Sequence, residues 1–387
     1  MAFPNSAKIA VIVPAYNLGG YVARAVESVL AQSFGGFELV VVDDGSADET
    51  PQVLAGIRDP RMRVVRRENA GLPAARNTGI RESTAPLVAF LDADDFYLPE
   101  MLEILGGFLA GHPEIGMVAG TVRYVDETGR WIGAAQASRT PLRLPELLFE
   151  NPICVSGVVL RRSWLECVGL FDESLRACED YDLWLRLLAA GCRMAWVDHH
   201  VAAYRIRSGQ MTSEAARMRK AIFAVLDKFF ERPELPEQLA VLKEKVYARG
   251  FLHAAAFAYL SNETENGWRD LAQAMRMDSD LKAGDCKKLI GVLVGWANDP
   301  RTRGAAAFLE RIIETLPRDR RDLRMGLQRA AADILMAPLF GGSREMWCAR
   351  RADLFRAVRY KPEWLLNRGV LRMVAETCLP RAGARRG

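Results

Sequence analysis

Three short apolar runs near the start of the chain constrain its fold more than anything else in it. Lys8 to Val13, Phe37 to Val42 and Pro86 to Leu91 are nearly continuous in apolar residues and do not alternate with polar ones. That pattern marks strands covered on both faces, as in a parallel sheet. Each run is closed by a polar cluster: Pro14-Ala15-Tyr16-Asn17, then Asp43-Asp44-Gly45-Ser46, then Asp92-Ala93-Asp94-Asp95. Between the first two runs, Val22, Val26, Val29 and Leu30 fall on one helical face. Strand, helix and strand in such a short span predict a right-handed βαβ unit. Tyr16 and Asp44 should then share one edge of the sheet, the carboxyl edge where open α/β sheets bind ligands.

The third cluster carries its own chemistry. Three carboxylates in four positions repel one another and raise each other's pKa unless a partner offsets the charge. A hard divalent cation such as Mg²⁺ or Mn²⁺ takes carboxylate oxygens and leaves places for phosphate. Standing alone, the same residues suit a solvated turn with a helix cap; their place at a strand end is what favours the site.

The remaining chain extends the α/β pattern to about residue 212. A helix is expected from Glu49 to Ile57, then a short strand at Arg63 to Arg66. A Gly-marked loop, Asn69 to Gly79, enters a short helix, and Pro99 opens another. Met117 to Val125 and Trp131 to Gly133 predict a hairpin turning at Thr128-Gly129. Ile153 to Leu160 and Met194 to Tyr204 read as strands. Between them Cys178 to Ala190 reads as a helix ended by Gly191, with Leu183, Trp184, Leu187 and Leu188 as its core face. From about Ser213 onward the spacing is helical throughout.

Charge changes sign at the same place. Residues 1–210 hold 20 basic and 26 acidic side chains, and residues 211–387 hold 32 and 22. The chain ends in a basic segment containing Arg381, Arg385 and Arg386. Such an excess suits either an anionic surface or a set of solvated helix faces. No apolar run reaches the ~20 residues needed to span a bilayer, and the first residues lack the pattern of a signal peptide. Seven cysteines without a Cys-x-x-Cys pair indicate neither a zinc site nor a disulfide framework. These features together predict a protein of the reducing cytoplasm.

Pro14-Ala15-Tyr16-Asn17, Asp43-Asp44-Gly45-Ser46, Asp92-Ala93-Asp94-Asp95 and Glu179-Asp180-Tyr181-Asp182-Leu183-Trp184-Leu185-Arg186 occur in this order. As an ordered set they resemble the inverting, nucleotide-sugar-dependent glycosyltransferases of family 2, over residues 7–212. The resemblance implies a GT-A-type, Rossmann-like mixed sheet flanked by helices, to which the chain adds an all-α C-terminal region. Three parts are expected: a nucleotide-sugar-binding half (1–110), an acceptor-binding half (111–212) and a helical domain (213–387).

It also implies residue roles. Pro14, Tyr16, Asn17, Asp44, Arg76 and Asp92 would bind the nucleotide, with Tyr16 and Asp44 at uracil and Asp92 at the ribose. Asp94 would hold Mg²⁺ or Mn²⁺, and Arg76 would support the acidic cluster or the diphosphate. Each has a plainer role open to it: Tyr16 as a core aromatic, Asp44 as a turn former before Gly45, Arg76 as a surface arginine. Asp180 is the expected base that deprotonates the acceptor hydroxyl, although an Asp at a helix start also serves as an N-cap. Glu179, Asp95, Arg205 and Arg207 are candidate acceptor or diphosphate contacts. Arg207 departs from the family pattern, which often has His there. A guanidinium cannot ligate a metal but pairs well with phosphate. His199 and His200, adjacent on a strand, should point to opposite faces and share no metal.

The expected activity is transfer of a sugar from a UDP-sugar to a carbohydrate or lipid-linked acceptor in cell-surface polysaccharide or glycolipid synthesis. The alternatives are a nucleotide- or sugar-binding protein without catalysis and a nucleotidyltransferase. Asp92, Asp94 and Asp180 argue against the first, and Gly19-Gly20 is too little of a phosphate loop for the second. No Gly-x-Gly-x-x-Gly follows a strand, which disfavours dinucleotides. Expected partners are the donor, the acceptor and a second copy of the chain, with no nucleic acid. The patch of Trp364, Leu365, Leu366, Val370 and Leu371 with Arg368 and Arg372 suits peripheral contact at the cytoplasmic membrane face or packing within the protein.

Overall fold

The computed structural model describes residues 8–134, 142–210, 214–302 and 304–378. The expected βαβ unit is present as β1 (Ile9–Ala15), α1 (Gly19–Leu30) and β2 (Phe37–Asp43), with every strand residue buried. The predicted stripe of α1 holds, since Val22, Val26 and Val29 are buried. Next come α2 (Thr50–Gly56), β3 (Met62–Arg66), α3 (Leu72–Arg81) and β4 (Leu87–Phe90). The four strands are parallel in the order β3-β2-β1-β4, so β1 and β4 meet where the winding reverses direction. That crevice is the ligand site of doubly wound sheets.

Two glycines fix α3 against this sheet. Gly71 enters it at φ 97°, a conformation open to glycine and costly for other residues. A Cβ on Gly79 would lie 2.3 Å from Ile12 Cγ2, so only glycine lets the helix approach β1 this closely.

The second half adds strands of mixed direction. A two-residue strand that the sequence did not suggest, β5 (Phe96–Tyr97), precedes α4 (Met101–Gly111). The predicted hairpin is β6 (Met117–Val125) and β7 (Trp131–Ala134), its turn closed by Asp126 and by Gly129 at φ 86°. A short helix, α5 (Leu144–Phe149), follows, also without sequence warning. The expected strand from Ile153 is shorter than predicted: a 3-10 turn at Val155–Gly157 precedes β8 (Val158–Arg161). Then come α6 (Arg162–Val168), α7 (Glu179–Ala189) and β9 (Met194–Arg205). The sheet continues β4-β8-β6-β9-β5, with β6 and β9 parallel and the other new pairs antiparallel. On α7, Leu183, Trp184 and Leu187 are buried as expected, and Leu188 is half-buried.

Beyond β9 the described residues form helices and no strand. The division into compact units falls at Val246/Tyr247, not near residue 213. The reason is α8 (Ala215–Phe230), whose Lys228 pairs with Asp172 (2.5 Å) and with Asp182 of α7 (2.9 Å). Those ion pairs and the buried face of α8 tie the first helix past residue 213 to the mixed sheet's unit. The second unit has its own apolar cores, one around Leu271, Phe308 and Leu327, another around Leu335, Trp347 and Leu354. Val370 is fully buried in the latter, and Trp364 packs against it. The exposed apolar patch therefore shrinks to Leu365, Leu366 and Leu371. Arg381, Arg385, Arg386 and the segment 211–213 lie outside the described residues. No helix among the described residues is long and apolar enough to cross a membrane.

Candidate functional site

The carboxyl ends of β1, β2 and β4 form one edge, as the βαβ reading requires: the Asp44 amide donates to the Ala15 carbonyl (2.9 Å). Pro14 is buried inside β1, next to its carboxyl end. Tyr16 stands half exposed at the edge (50%), not in the core. Asn17 takes φ 52°, a left-handed turn that asparagine tolerates better than most residues. Its amide N–H donates to Ser46 Oγ (3.0 Å) and its side-chain oxygen accepts from the Ala47 amide (2.8 Å). Asn17 thereby joins the loops after β1 and β2.

Asp44, expected at uracil, is tied to the neighbouring loop in this structure. It is buried, and its carboxylate accepts from the amides of Ala70 (3.2 Å) and Gly71 (2.8 Å) and pairs with Arg67 Nε (3.2 Å). A carboxylate offers about four acceptor positions, and these contacts take most of them. It holds the 69–71 loop beside an open groove of about 590 Å³ lined by Gly45, Arg66, Arg67, Glu68 and Asn69.

Arg76 is the centre of the inner part of the edge. The side chain is 1% exposed, so the surface-arginine reading fails. One guanidinium nitrogen meets Asp92 Oδ1 at 2.5 Å, another meets Glu179, and the group lies 5.4 Å from the Phe171 ring. Burial opposes its charge, but Asp92, Glu179 and Asp180 outweigh that and hold it protonated beyond its ordinary range. Glu179 is buried on this contact, which turns it away from solvent. Asn77, one residue on, clamps the 171–173 segment through Phe171 (2.9 and 3.0 Å) and Glu173 (2.8 Å).

Asp180 follows Glu179 on the first turn of α7 and is half-buried. It is not the N-cap: Cys178 holds that place at φ 58°. Burial first, then the neighbouring Glu179 charge, push the Asp180 carboxyl up to about 7, with Arg76 pulling the other way. A carboxylate with that pKa takes up a proton near neutral pH, as a general base must.

The outer part of the edge holds the other two carboxylates. Asp95 is 2% exposed and points inward: it accepts from Ser156 Oγ (2.7 Å) and the Arg205 amide (2.9 Å). Burial, then Asp94 and Asp92, raise its pKa well above the ordinary value. Arg205 is buried too, its guanidinium donating to the carbonyls of Asp94 (2.8 Å) and Glu127 (2.7 Å). Together they staple the Asp92–Asp95 loop to the end of β9. Asp94 is half-buried and its Oδ2 accepts from Arg207 Nε at 2.8 Å. Burial and Asp92 raise its pKa while Arg207 opposes them.

Sequence reasoning missed Ser156, whose hydroxyl donates to Asp95 and accepts from the Asp92 amide (3.2 Å). It lies in an apolar run, and only the turn before β8 brings it here. Tyr21, its ring 5.1 Å from Arg205 and 5.6 Å from Arg207, was equally silent. His199 and His200 fall where the β6–β9 register shifts. Among the described residues no three His, Cys, Asp or Glu side chains are grouped to hold a metal ion.

Comparison with known proteins agrees with this architecture. The model of "Glycosyl transferase family 2" matches residues 10–169. The succinoglycan biosynthesis protein ExoO of Rhizobium meliloti (strain 1021) is 33% identical over 277 residues, covering 68% of this chain and 79% of the relative. Among solved structures, S. aureus TarS 1–349 in complex with UDP-GlcNAc is similar with TM-score 0.53 and 19% identity, covering 93% of this chain and 92% of that one. The mannosyltransferase PcManGT of Pyrobaculum calidifontis, in complex with GDP-Man and Mn²⁺, gives TM-score 0.50 at 19% identity, covering 79% and 86%. The chain has the GT-A-type fold with a helical C-terminal region, and it belongs to glycosyl transferase family 2 as a glycosyltransferase.

Proposed function

We propose that this glycosyltransferase moves one sugar from a UDP-sugar, with inversion, onto a hydroxyl of a carbohydrate or lipid-linked acceptor in cell-surface polysaccharide or glycolipid synthesis. The observation that carries the reading is Asp180, a carboxylate tuned to about 7 beside the Arg76–Asp92 pair at the carboxyl edge. In this reading Tyr16 and the groove beside Asn69 take the base, and Asp92 takes the ribose. Asp180 removes the acceptor's proton as its oxygen bonds to the anomeric carbon, and the bond to the nucleoside diphosphate breaks with its electrons. Charge then grows on the diphosphate and needs a fixed positive partner. The relative in succinoglycan biosynthesis and the neighbour holding UDP-GlcNAc favour this donor and product class.

The test is calorimetric binding of UDP and GDP, followed by UDP-sugar consumption by wild type and Asp180→Asn. Tight UDP binding with turnover lost only in the variant is the expected result. Absence of binding by either nucleotide removes the reading.

The exposed Leu365, Leu366 (85%) and Leu371, beside Arg368 and Arg372, support peripheral attachment to an anionic membrane. Sedimentation with vesicles of anionic lipid, and its loss in Leu366→Glu, is the corresponding test.

A further inference from the structure

The acidic cluster at the end of β4 suggests a cation, and the side chains there were compared with what a metal requires. Asp95 has both oxygens committed to Ser156 and the Arg205 amide and is buried. Asp92 Oδ1 is held by Arg76. Asp94 Oδ2 is held by Arg207. Hard divalent cations take several oxygen ligands at about 2.0–2.6 Å, and a guanidinium already holds one oxygen of each half-buried carboxylate, Arg76 on Asp92 and Arg207 on Asp94. The donor set does not fit a ready-made metal site.

It fits a fixed guanidinium instead. Arg207 is held through Nε by Asp94 (2.8 Å), while its Nη1 donates weakly to the Ser208 carbonyl (3.3 Å). Its Nη2 meets no acceptor among the described residues, and the side chain is 20% exposed. The chain around it is rigidly placed: Arg205 is bonded to Asp94 and Asp95, and the Arg207 amide donates to Gln210 Oε1 (3.1 Å). An arginine fork with free N–H groups is well matched to a diphosphate. The Asp94 carboxylate would repel a diphosphate were its charge not offset.

We propose that Arg207, oriented by Asp94, binds the diphosphate of the donor directly and supplies the positive charge that a divalent cation would otherwise bring, so that nucleotide binding is independent of added metal. This rests on the reading of the edge as a UDP-sugar site.

Calorimetry tests it with UDP and uridine against wild type and Arg207→Ala, in EDTA and in Mn²⁺, with thermal melts confirming that both proteins are folded. Wild type should bind UDP in EDTA with an affinity close to that in Mn²⁺. Arg207→Ala should lose about 10- to 100-fold for UDP in EDTA, the range for hydrogen bonds to charged groups, and nothing for uridine. Arg207→Lys keeps the charge without the fork and should fall between the two. Wild-type binding of UDP that requires Mn²⁺ overturns the proposal and leaves the donor site standing. Equal losses for UDP and uridine, or none, also overturn it by making Arg207 merely structural. UDP binding under neither condition overturns the donor site and the proposal together.

Discussion

Two arginines at the same sheet edge do opposite things with similar partners. Arg76, from α3, is 1% exposed and bonded to two carboxylates, Asp92 and Glu179. Arg207, just past β9, is 20% exposed, is bonded to one carboxylate and keeps part of its fork free. The difference is one of dielectric and access. A buried guanidinium with two acidic partners is locked, because removing either side leaves an uncompensated charge. A half-open one with a single partner can still receive a ligand. The inner arginine therefore shapes the electrostatics around Asp180, and the outer one remains available to an incoming anion.

The comparison is sharpened most by Asp180→Asn, which sits next to the inner arginine without bonding to it. Turnover should fall by about 10²–10⁴-fold, the usual share of a general base, with UDP affinity unchanged. The wild-type rate should decline as pH drops through about 7, since the active form is the carboxylate and its pKa is raised to about 7. The same substitution reports on stability. The folded state holds the Asp180 proton at pH values where the unfolded chain, with a pKa near ~3.9, has lost it. Stability therefore falls as pH rises from about 4 to 7 and stays lower above. Asp180→Asn should exceed wild type by about 2 kcal/mol at pH 8, allowing for half exposure, and match it near pH 4 in denaturant melts.

Arg76→Ala comes next. It strands Asp92 and Glu179 and should cost about 3–5 kcal/mol of stability, read as a lower Tm with loss of activity. A small effect would break the contrast by showing the inner node to be well solvated. Tyr16→Ala should weaken UDP and uridine alike by about tenfold through lost stacking, with little change in Tm because the ring is half exposed. The smallest effect is on the outer node: Arg207→Ala should change stability by about 1 kcal/mol or less, as for partly exposed ion pairs. A loss as large as that of Arg76→Ala would erase the distinction between the two.

Much of this edge could be read from local sequence. The strands β1, β2 and β4 announced themselves because each is short, apolar and followed at once by polar residues. The position of Tyr16 beside Asp44 followed from the βαβ rule alone. The acidic residues of the third cluster were visible, but their destinations were not. Asp95 turns inward to Ser156 and Arg205, and Asp44 turns to the 69–71 loop, because those donors come from segments far away in the chain. The domain boundary moved for a similar reason: helical spacing marks α8 as a helix but cannot show that Lys228 pairs with Asp172 and Asp182. Val370 looked like part of an exposed patch, yet a periodic stripe does not say which neighbour covers it.

By itself the sequence determined the strands, the helix stripes, the carboxyl edge that carries the polar clusters and the family, since these depend on periodicity and on residues within a few positions of one another. Only the tertiary structure decided which carboxylate meets which arginine, and hence which charges are locked and which are open to a ligand. A pKa or an ion pair depends on distances between residues about a hundred positions apart, such as Arg76 with Glu179 and Asp94 with Arg207. Local sequence pattern carries no record of those distances.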